Sequence, residues 1–511
     1  MRRALIAVVE VVILSALIVA TRCANYRDVF IGGDVYFTDA DCYARMTRVR
    51  LCLEHPGKIL RHHAFENFPV GTTPHTTAPF DYLVAGLSSA MPRDFAGALV
   101  SPLLALLTGW FLWWWYRHAG LPYRGALLLL FALSPILVHG TELGRPDHQS
   151  LLISLIAVAL CAEWSLATND SREWSFVSGA AWGMALWVSL YEPLILLAVL
   201  VLVQLLVGRK IFLTRNRLIG WGLCGGLVLL ALLIERRLPF AWPNNPAIFS
   251  NWAATIGELR PIWPNDPAWL RWTGLLLIPL PALLWIALRR RTIPAFLAAL
   301  LAATFSLTIW QARWAYFFAM IFAFSLPVCL SLIKSRIAGW VLIVISFFPI
   351  LKDWDEKLWP NEFQSGLIAE RRADAIGWRQ MAKQIDGPFL APWWWSPAVA
   401  YWSGQPGVAG SSHEALPGIE QSAQFFLTPD AETAKSILIK TKVTWVLAYD
   451  ADRTAANSAA IQGISPPEKS FATILDRTPS QAPAFLHLTA QNSACKLFRV
   501  QIFHEKEDFR R

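Results

Sequence analysis

The stretch ALIAVVEVVILSALIVAT (Ala4–Thr21), followed closely by FTDADCYARMTRVR (Phe37–Arg50), decides the class of this chain. The first is long and apolar enough to span a bilayer and lacks a small-residue cleavage site, so it reads as a retained first helix rather than a leader. The second sets two acids two residues apart just beyond it, and carboxylates beside a bilayer need a cation, a metal or water to hold them. Working outward, 55% of the 511 residues are hydrophobic and only 16% charged, too apolar for a soluble protein of this length. The net charge of +9 does not indicate nucleic acid, because Lys and Arg lie between apolar runs rather than in a basic tail or stripe. The 26 Trp suit interfacial belts. Seven widely spread Cys lack CxxC spacing; Cys42 and Cys52 are able to pair in an oxidising compartment, and free thiols are the default. Glu10, inside the first span, reads as a snorkelling or helix-paired carboxylate.

Runs of spanning length occur near 4–21, 95–115, 121–140, 148–167, 174–191, 193–208, 218–235, 271–288, 293–310, 314–333 and 337–351, about eleven helices. The pair 174–191 and 193–208 is divided at Tyr191-Glu192-Pro193. Basic residues gather at alternate ends: Arg2 and Arg3, Arg117 and Arg124, Arg172, Arg209 to Arg217, Arg289 to Arg291, then Lys334 and Arg336. Those ends are expected to be cytoplasmic, which puts the C-terminus outside. The expected organisation is a polytopic α-helical domain over 1–351 with external loops 22–94 and 236–270, then a soluble extracytoplasmic α/β domain over 352–511. In that tail WRQMAKQI reads as a helix end, FLAP and GVAG as short strands, AETAKSILIKTK as an amphipathic helix and VTWVLAYD as a strand. With no organelle signal evident, the placement expected is a bacterial inner membrane, with its active site facing the periplasm.

On this topology polar residues far apart in sequence share one membrane face. Asp39 and Asp41 lie in the first external loop, Asp147 in GRPDHQS (Gly144–Ser150) at a helix mouth, Glu258 in ATIGELRP (Ala254–Pro261), and Arg313 in QARWAYF (Gln311–Phe317). Carboxylate oxygens are what a hard divalent cation such as Mg²⁺ or Mn²⁺ needs, and an arginine beside them suits a phosphate. Singly each has a bland reading, as a solvated loop acid or a headgroup-facing arginine. As a set they argue against a transporter or flippase, whose essential charges belong near the bilayer midplane. His62, His63 and His75 in the first loop read as packing or solvated residues.

The segments DADCYARMTRV, GRPDHQS, TIGE, ARWAYF and WWWSPAVAYWSGQPGVAGSSH (Trp393–His413) occur in the order seen in the catalytic subunit of oligosaccharyltransferase, the family of bacterial PglB and archaeal AglB, which the chain resembles over nearly its whole length. The resemblance implies a GT-C fold that binds a lipid-linked oligosaccharide and transfers its glycan to a polypeptide asparagine with inversion. It implies Asp41, Asp147 and Glu258 as metal ligands, with Asp41 and Glu258 also meeting the acceptor amide, Asp39 and His148 as weaker members, and Arg313 at the donor phosphate. Gln149 stands where the family usually has Glu or His, so it offers a neutral carbonyl oxygen. Trp394, Trp395 and Ser396 align with the acceptor-binding segment, Ser396 replacing the aspartate that reads the sequon, so the acceptor residue stays open. The chain also has about two fewer spans than the thirteen usual in the family. The alternative enzyme is a GT-C glycosyltransferase that takes a lipid-phosphate sugar and modifies a surface polymer.

Overall fold

The computed structural model describes residues 2–207, 212–237 and 245–502. Arg209 and Lys210 of the basic pattern, the side chains of Arg2 and Arg3, part of the second long loop and the last residues of the tail lie outside the described residues. Two compact units emerge: Met1–Val35, Thr76–Phe240 and Glu258–Asn361 form one, and Tyr36–His75, Ala241–Gly257 and Glu362–Arg511 the other.

The first unit is helical, and the chain is a polytopic α-helical membrane protein. Among the described residues six helices are long and apolar enough to cross a membrane, joined by four shorter apolar ones. Among the described residues the apolar runs are largely helical, but three are broken, the one at 337–351 at Phe347, between Arg336–Ser346 and Phe348–Leu358. The run at 121–140 divides into Arg124–Leu133 and Pro135–His139, because Pro135 lacks the N–H that would continue the first helix and holds Ser134 extended. The run at 271–288 breaks at Gly274, whose φ of +77° suits only glycine and where a Cβ would meet the Ser346 carbonyl oxygen at 2.4 Å. The division at Tyr191 is present: one helix ends at Val188 and the next starts at Tyr191. A short hairpin, β1 (Phe30–Ile31) and β2 (Asp34–Val35), closes the segment after the first helix.

The Ala315–Ser331 helix is buried almost all round, as its apolar sequence AYFFAMIFAFSLPVCLS requires, with Ala295–Trp310, Arg124–Leu133 and Leu280–Arg289 among the helices packed on it. Glu10 is helix-paired: it accepts from Arg124 Nη2 at 2.6 Å and Trp113 Nε1 at 3.0 Å. Glycines bring the Arg172–Val188 and Arg215–Glu235 helices into backbone contact, since a Cβ on Gly179 would lie 2.1 Å from the Gly220 carbonyl oxygen. Nearby, the buried Glu163 takes both arms of Arg217 at 3.0 and 2.8 Å and a further bond from Gln204.

In the second unit β3 (Phe389–Leu390), β4 (Trp445–Tyr449), β5 (Leu486–Gln491) and β6 (Cys495–Val500) form a mixed sheet of order β3-β4-β6-β5. β3 and β4 are parallel and the other pairs antiparallel. All five residues of β4 are buried, and they alternate between two cores. Val446 and Ala448 face Phe425, Leu438 and Phe471; Trp445, Leu447 and Tyr449 face Trp378, Met381 and Val399. Helices therefore cover both faces, the α/β layering expected of the tail. FLAP supplies β3, VTWVLAYD β4, and AETAKSILIKTK the Ala431–Thr441 helix. GVAG is not a strand; Gly407 makes a single bridge to Phe389. The first-loop helix Ala40–Glu54 belongs to this unit and packs through Tyr43 on Trp402, ring centroids 5.0 Å apart. Cys42 and Cys52 are buried, unbridged thiols.

Candidate active site

At one end of the helical unit three turns meet. GRPDHQS runs into the His148–Thr168 helix with Asp147 at its N-cap position, yet the Asp147 carboxylate makes no capping bond and instead lies 2.7 Å from His148 Nδ1. The turn is fixed from behind: Gly144 N donates to Ala98 O, and Ser101 Oγ donates to Arg145 O. Two residues after Asp147, Gln149 is buried, its Nε2 donating to Glu192 Oε1 at 3.3 Å.

Glu192 is the hub. It opens the Tyr191–Val207 helix, is fully buried, and accepts from Arg313 Nη2 at 2.5 Å and from Ser189 Oγ at 2.7 Å besides Gln149. Arg313 occupies the 3₁₀ turn Ala312–Trp314 that leads into the central helix, and its guanidinium also lies over the Tyr191 ring at 5.9 Å. That turn is tied to the third one by Ala312 N donating to Arg260 O at 2.9 Å. There Glu258, a third exposed, accepts from Arg145 Nη2 at 3.0 Å. Arg145 in turn meets His139 Nε2 at 3.2 Å, and His139 Nδ1 lies 2.8 Å from the Tyr316 hydroxyl. Asp147, Glu192 and Glu258 all act electrostatically on Arg313.

Asp147, His148, Gln149, Glu258 and Arg313 are thus brought together in the first unit. Glu192, Arg145 and His139 join them without having been assigned. Arg145 was in view inside GRPDHQS, and Glu192 at the break between two apolar runs, where a buried acid in a membrane segment is itself a functional signal. Two oxygens bear on whether a hard cation fits. Gln149 Oε1 is buried without a hydrogen-bond partner, and Asp147 is turned away from its own helix. These two and the Glu258 carboxylate are oxygen donors, the ligand type that hard cations prefer.

The remaining candidates belong to the second unit. Asp39 caps the Ala40–Glu54 helix, accepting from Cys42 N at 3.0 Å, while Asp41 is exposed in its first turn. The same helix lies against Ser396–Ser403, with Arg50 Nη1 donating to Tyr401 O. Trp395 stacks on Trp378 at 4.9 Å, and Trp394 carries the Arg453 guanidinium over its ring at 5.5 Å. Ser396 is buried, its hydroxyl donated to Ala409 O at 2.7 Å.

No protein-family model and no curated protein matches this chain by sequence. Solved structures do match in fold. The oligosaccharyltransferase AglB from Archaeoglobus fulgidus, in complex with an inhibitory peptide and a dolichol-phosphate, superposes with a TM-score of 0.64 at 14% identity, over 90% of this chain and 71% of that one. The same organism's oligosaccharyltransferase in complex with Zn and sulfate gives 0.66 at 12% identity, over 94% and 79%. ArnT from Cupriavidus metallidurans, bound to undecaprenyl phosphate, gives 0.59 at 12% identity, over 97% of each chain. The fold is accordingly the GT-C membrane fold expected from the resemblance to the oligosaccharyltransferase catalytic subunit, at a divergence that leaves little identity.

Proposed function

We propose that this protein is a membrane glycosyltransferase that moves a glycan from a polyprenyl-(pyro)phosphate donor to an acceptor, an asparagine of an extracytoplasmic polypeptide. The observation that carries the reading is the convergence of Asp147, Glu192 and Glu258 on Arg313, with Gln149 held on the same buried Glu192. In this reading Asp147, Gln149 and Glu258 hold Mg²⁺ or Mn²⁺, and Asp41 takes the ligand role that the resemblance implies, with Asp39 and His148 in support. The cation, when bound, neutralises charge on the leaving phosphate.

Everything else is done by side chains. Arg313 meets the donor phosphate oxygens, held in position by Glu192 rather than free to swing. Asp41 and Glu258 accept hydrogen bonds from the two acceptor amide N–H groups, which weakens the delocalisation of the nitrogen lone pair. The nitrogen then attacks the anomeric carbon from the face opposite the phosphate. The C–O bond breaks with its electron pair to the phosphate oxygen, the C–N bond forms, and one amide proton passes to a carboxylate. Trp394 and Trp395 supply aromatic contact to the acceptor, with Ser396 beneath it. The proposed placement is a bacterial inner membrane, 1–351 embedded and the site and 352–511 periplasmic.

One observation favours a second reading. The chain matches ArnT over nearly all of both chains, whereas it covers less of AglB. That structure holds undecaprenyl phosphate, so the match suits a lipid-monophosphate sugar donor with a non-sequon or surface-polymer acceptor. Purified full chain in nanodiscs, given either a polyprenyl-diphosphate oligosaccharide with an asparagine peptide library or a polyprenyl-phosphate sugar with a polymer acceptor, separates the two. The expected result is Asn-linked glycopeptide from the diphosphate donor, abolished by EDTA and by Asp147→Asn. Turnover of the monophosphate donor alone, indifferent to EDTA, establishes the second reading instead, and turnover of neither donor overturns both.

A further inference from the structure

Within the second unit a different group of ligands faces a cavity. His75, His413 and Glu414 each present a donor atom, all within 4.8 Å of one another. His75 Nδ1 lies 2.6 Å from Glu414 Oε1, His413 Nδ1 3.6 Å from Glu414 Oε2, and the two imidazole rings are 4.8 Å apart. We infer that these three side chains form a binding site for a Zn²⁺-class cation, separate from the proposed catalytic centre, that clamps the first-loop segment to the tail.

Three observations carry this. First, the Glu414 side chain is only 5% exposed, and its Oε2 has no hydrogen-bond partner. A buried carboxylate oxygen left in that state calls for a positive partner. Behind it Glu66, 4% exposed, has an Oε1 in the same condition and lies within electrostatic reach of Glu414. Ser412 Oγ, next in sequence to His413, donates to Glu66 Oε2 at 3.4 Å, which orients this second carboxylate from the same turn. Arg48 acts on Glu66 as the opposite charge, so the oxygen left for a cation is Glu414 Oε2.

Second, the donor set selects the ion. Two imidazole nitrogens with one carboxylate suit Zn²⁺ and related transition metals, whereas Mg²⁺ and Ca²⁺ prefer oxygen alone. The oxygen donors at Asp147, Gln149 and Glu258 have the opposite preference, so the two sites should not compete for one metal.

Third, two of the three ligands border open space. His413 and Glu414 form part of the wall of a cavity of about 460 Å³ whose other walls are Asn67–Thr73, Pro417, Gln421 and Lys440. Three protein ligands with a fourth position open to solvent is a familiar zinc arrangement, and the cavity gives the ion an entry path. The ligands lie 339 residues apart in sequence, so one bound ion closes a very long loop.

The test uses full-length protein in detergent, stripped with EDTA and titrated with Zn²⁺ and with Co²⁺, whose visible absorption reports imidazole ligation. Wild type should retain one Zn²⁺ equivalent after desalting, and so should Asp41→Asn/Glu258→Gln, which removes the proposed catalytic ligands. His413→Asn and His75→Asn should each weaken binding at least about 100-fold, since loss of even an outer partner costs 10–100-fold. Zn²⁺ should raise the melting temperature of wild type and leave that of Glu414→Gln unchanged, a comparison made within each variant so that differences in folding do not confuse it. Zn²⁺ retained by both histidine variants, lost in Asp41→Asn/Glu258→Gln, or not bound by wild type overturns the assignment. Because the double variant is inactive on the proposed mechanism yet metal-replete on this one, the two readings fail independently.

Discussion

Glu192 shows how much of the candidate site rests on one carboxylate that touches no reacting atom. It holds Arg313 and Gln149 from two other segments, so its charge sets where the guanidinium points. Glu192→Gln keeps the shape and removes the charge; kcat/KM should fall about 10- to 100-fold, with donor KM rising more than acceptor KM in steady-state assays. His63 makes a second prediction at this scale. Burial, aided by Arg48 beside it, pushes its imidazole down to about 3 from the usual 6.5. The folded state therefore binds fewer protons than the unfolded one between those values. The stability of the neutral ring is present above pH 6.5 and is lost as pH falls towards 3. Melting temperature should drop across that window, and His63→Asn, which keeps an acceptor for Phe65 N, should drop less steeply. Asp147, Glu258 and Arg313 stood out as candidates because each sits in a short polar motif breaking an apolar sequence. Glu192 stood at a visible break between apolar runs, but its pairing was not legible, because its partners lie 121 and 43 residues away.

At the scale of elements, the helical unit leans on two devices. The first is backbone contact at Gly179 and Gly220, where any side chain would force the helices apart. The second is the buried Glu163–Arg217 pair. Glu163→Ala strands a guanidinium among helices and should destabilise the protein by about 3–5 kcal/mol, whereas Glu163→Met/Arg217→Leu should recover most of that loss; thermal unfolding of the two in detergent compares them. Spans were readable from hydropathy because a helix in lipid must be apolar along its whole length. Their breaks at Ser134 and Gly274 were missed because hydropathy weighs apolarity alone, although Pro135 and Gly274 mark both places. β5 and β6 escaped for a different reason. LHLTAQ and CKLFRV are short and mix polar with apolar residues, and only pairing with each other and with the buried β4 makes them strands.

For the whole molecule the main fact is that chain order and compactness disagree. The sheet-bearing unit draws on Tyr36–His75, Ala241–Gly257 and Glu362–Arg511, with the helical unit's segments threaded between. No local pattern reveals this, because each loop segment reads as an ordinary connection until its distant partners are known. Trp252 against Trp393 and Asn251 Nδ2 on Ile461 O show how the short middle segment is gripped by the tail. A chain truncated after Asn361 should keep its apolar helices but leave 36–75 open to protease, and limited proteolysis of the truncated and full chains in membranes checks this. The interleaving also puts a clock into biosynthesis. About 290 residues separate His75 from Glu362, so at roughly 5–20 residues per second the first segment waits about 15–60 seconds for the strands and helices it packs against. During that interval Tyr43, Phe37 and the two buried thiols of the Ala40–Glu54 helix stand exposed, and a cell that makes this protein needs something to shield them until the tail emerges.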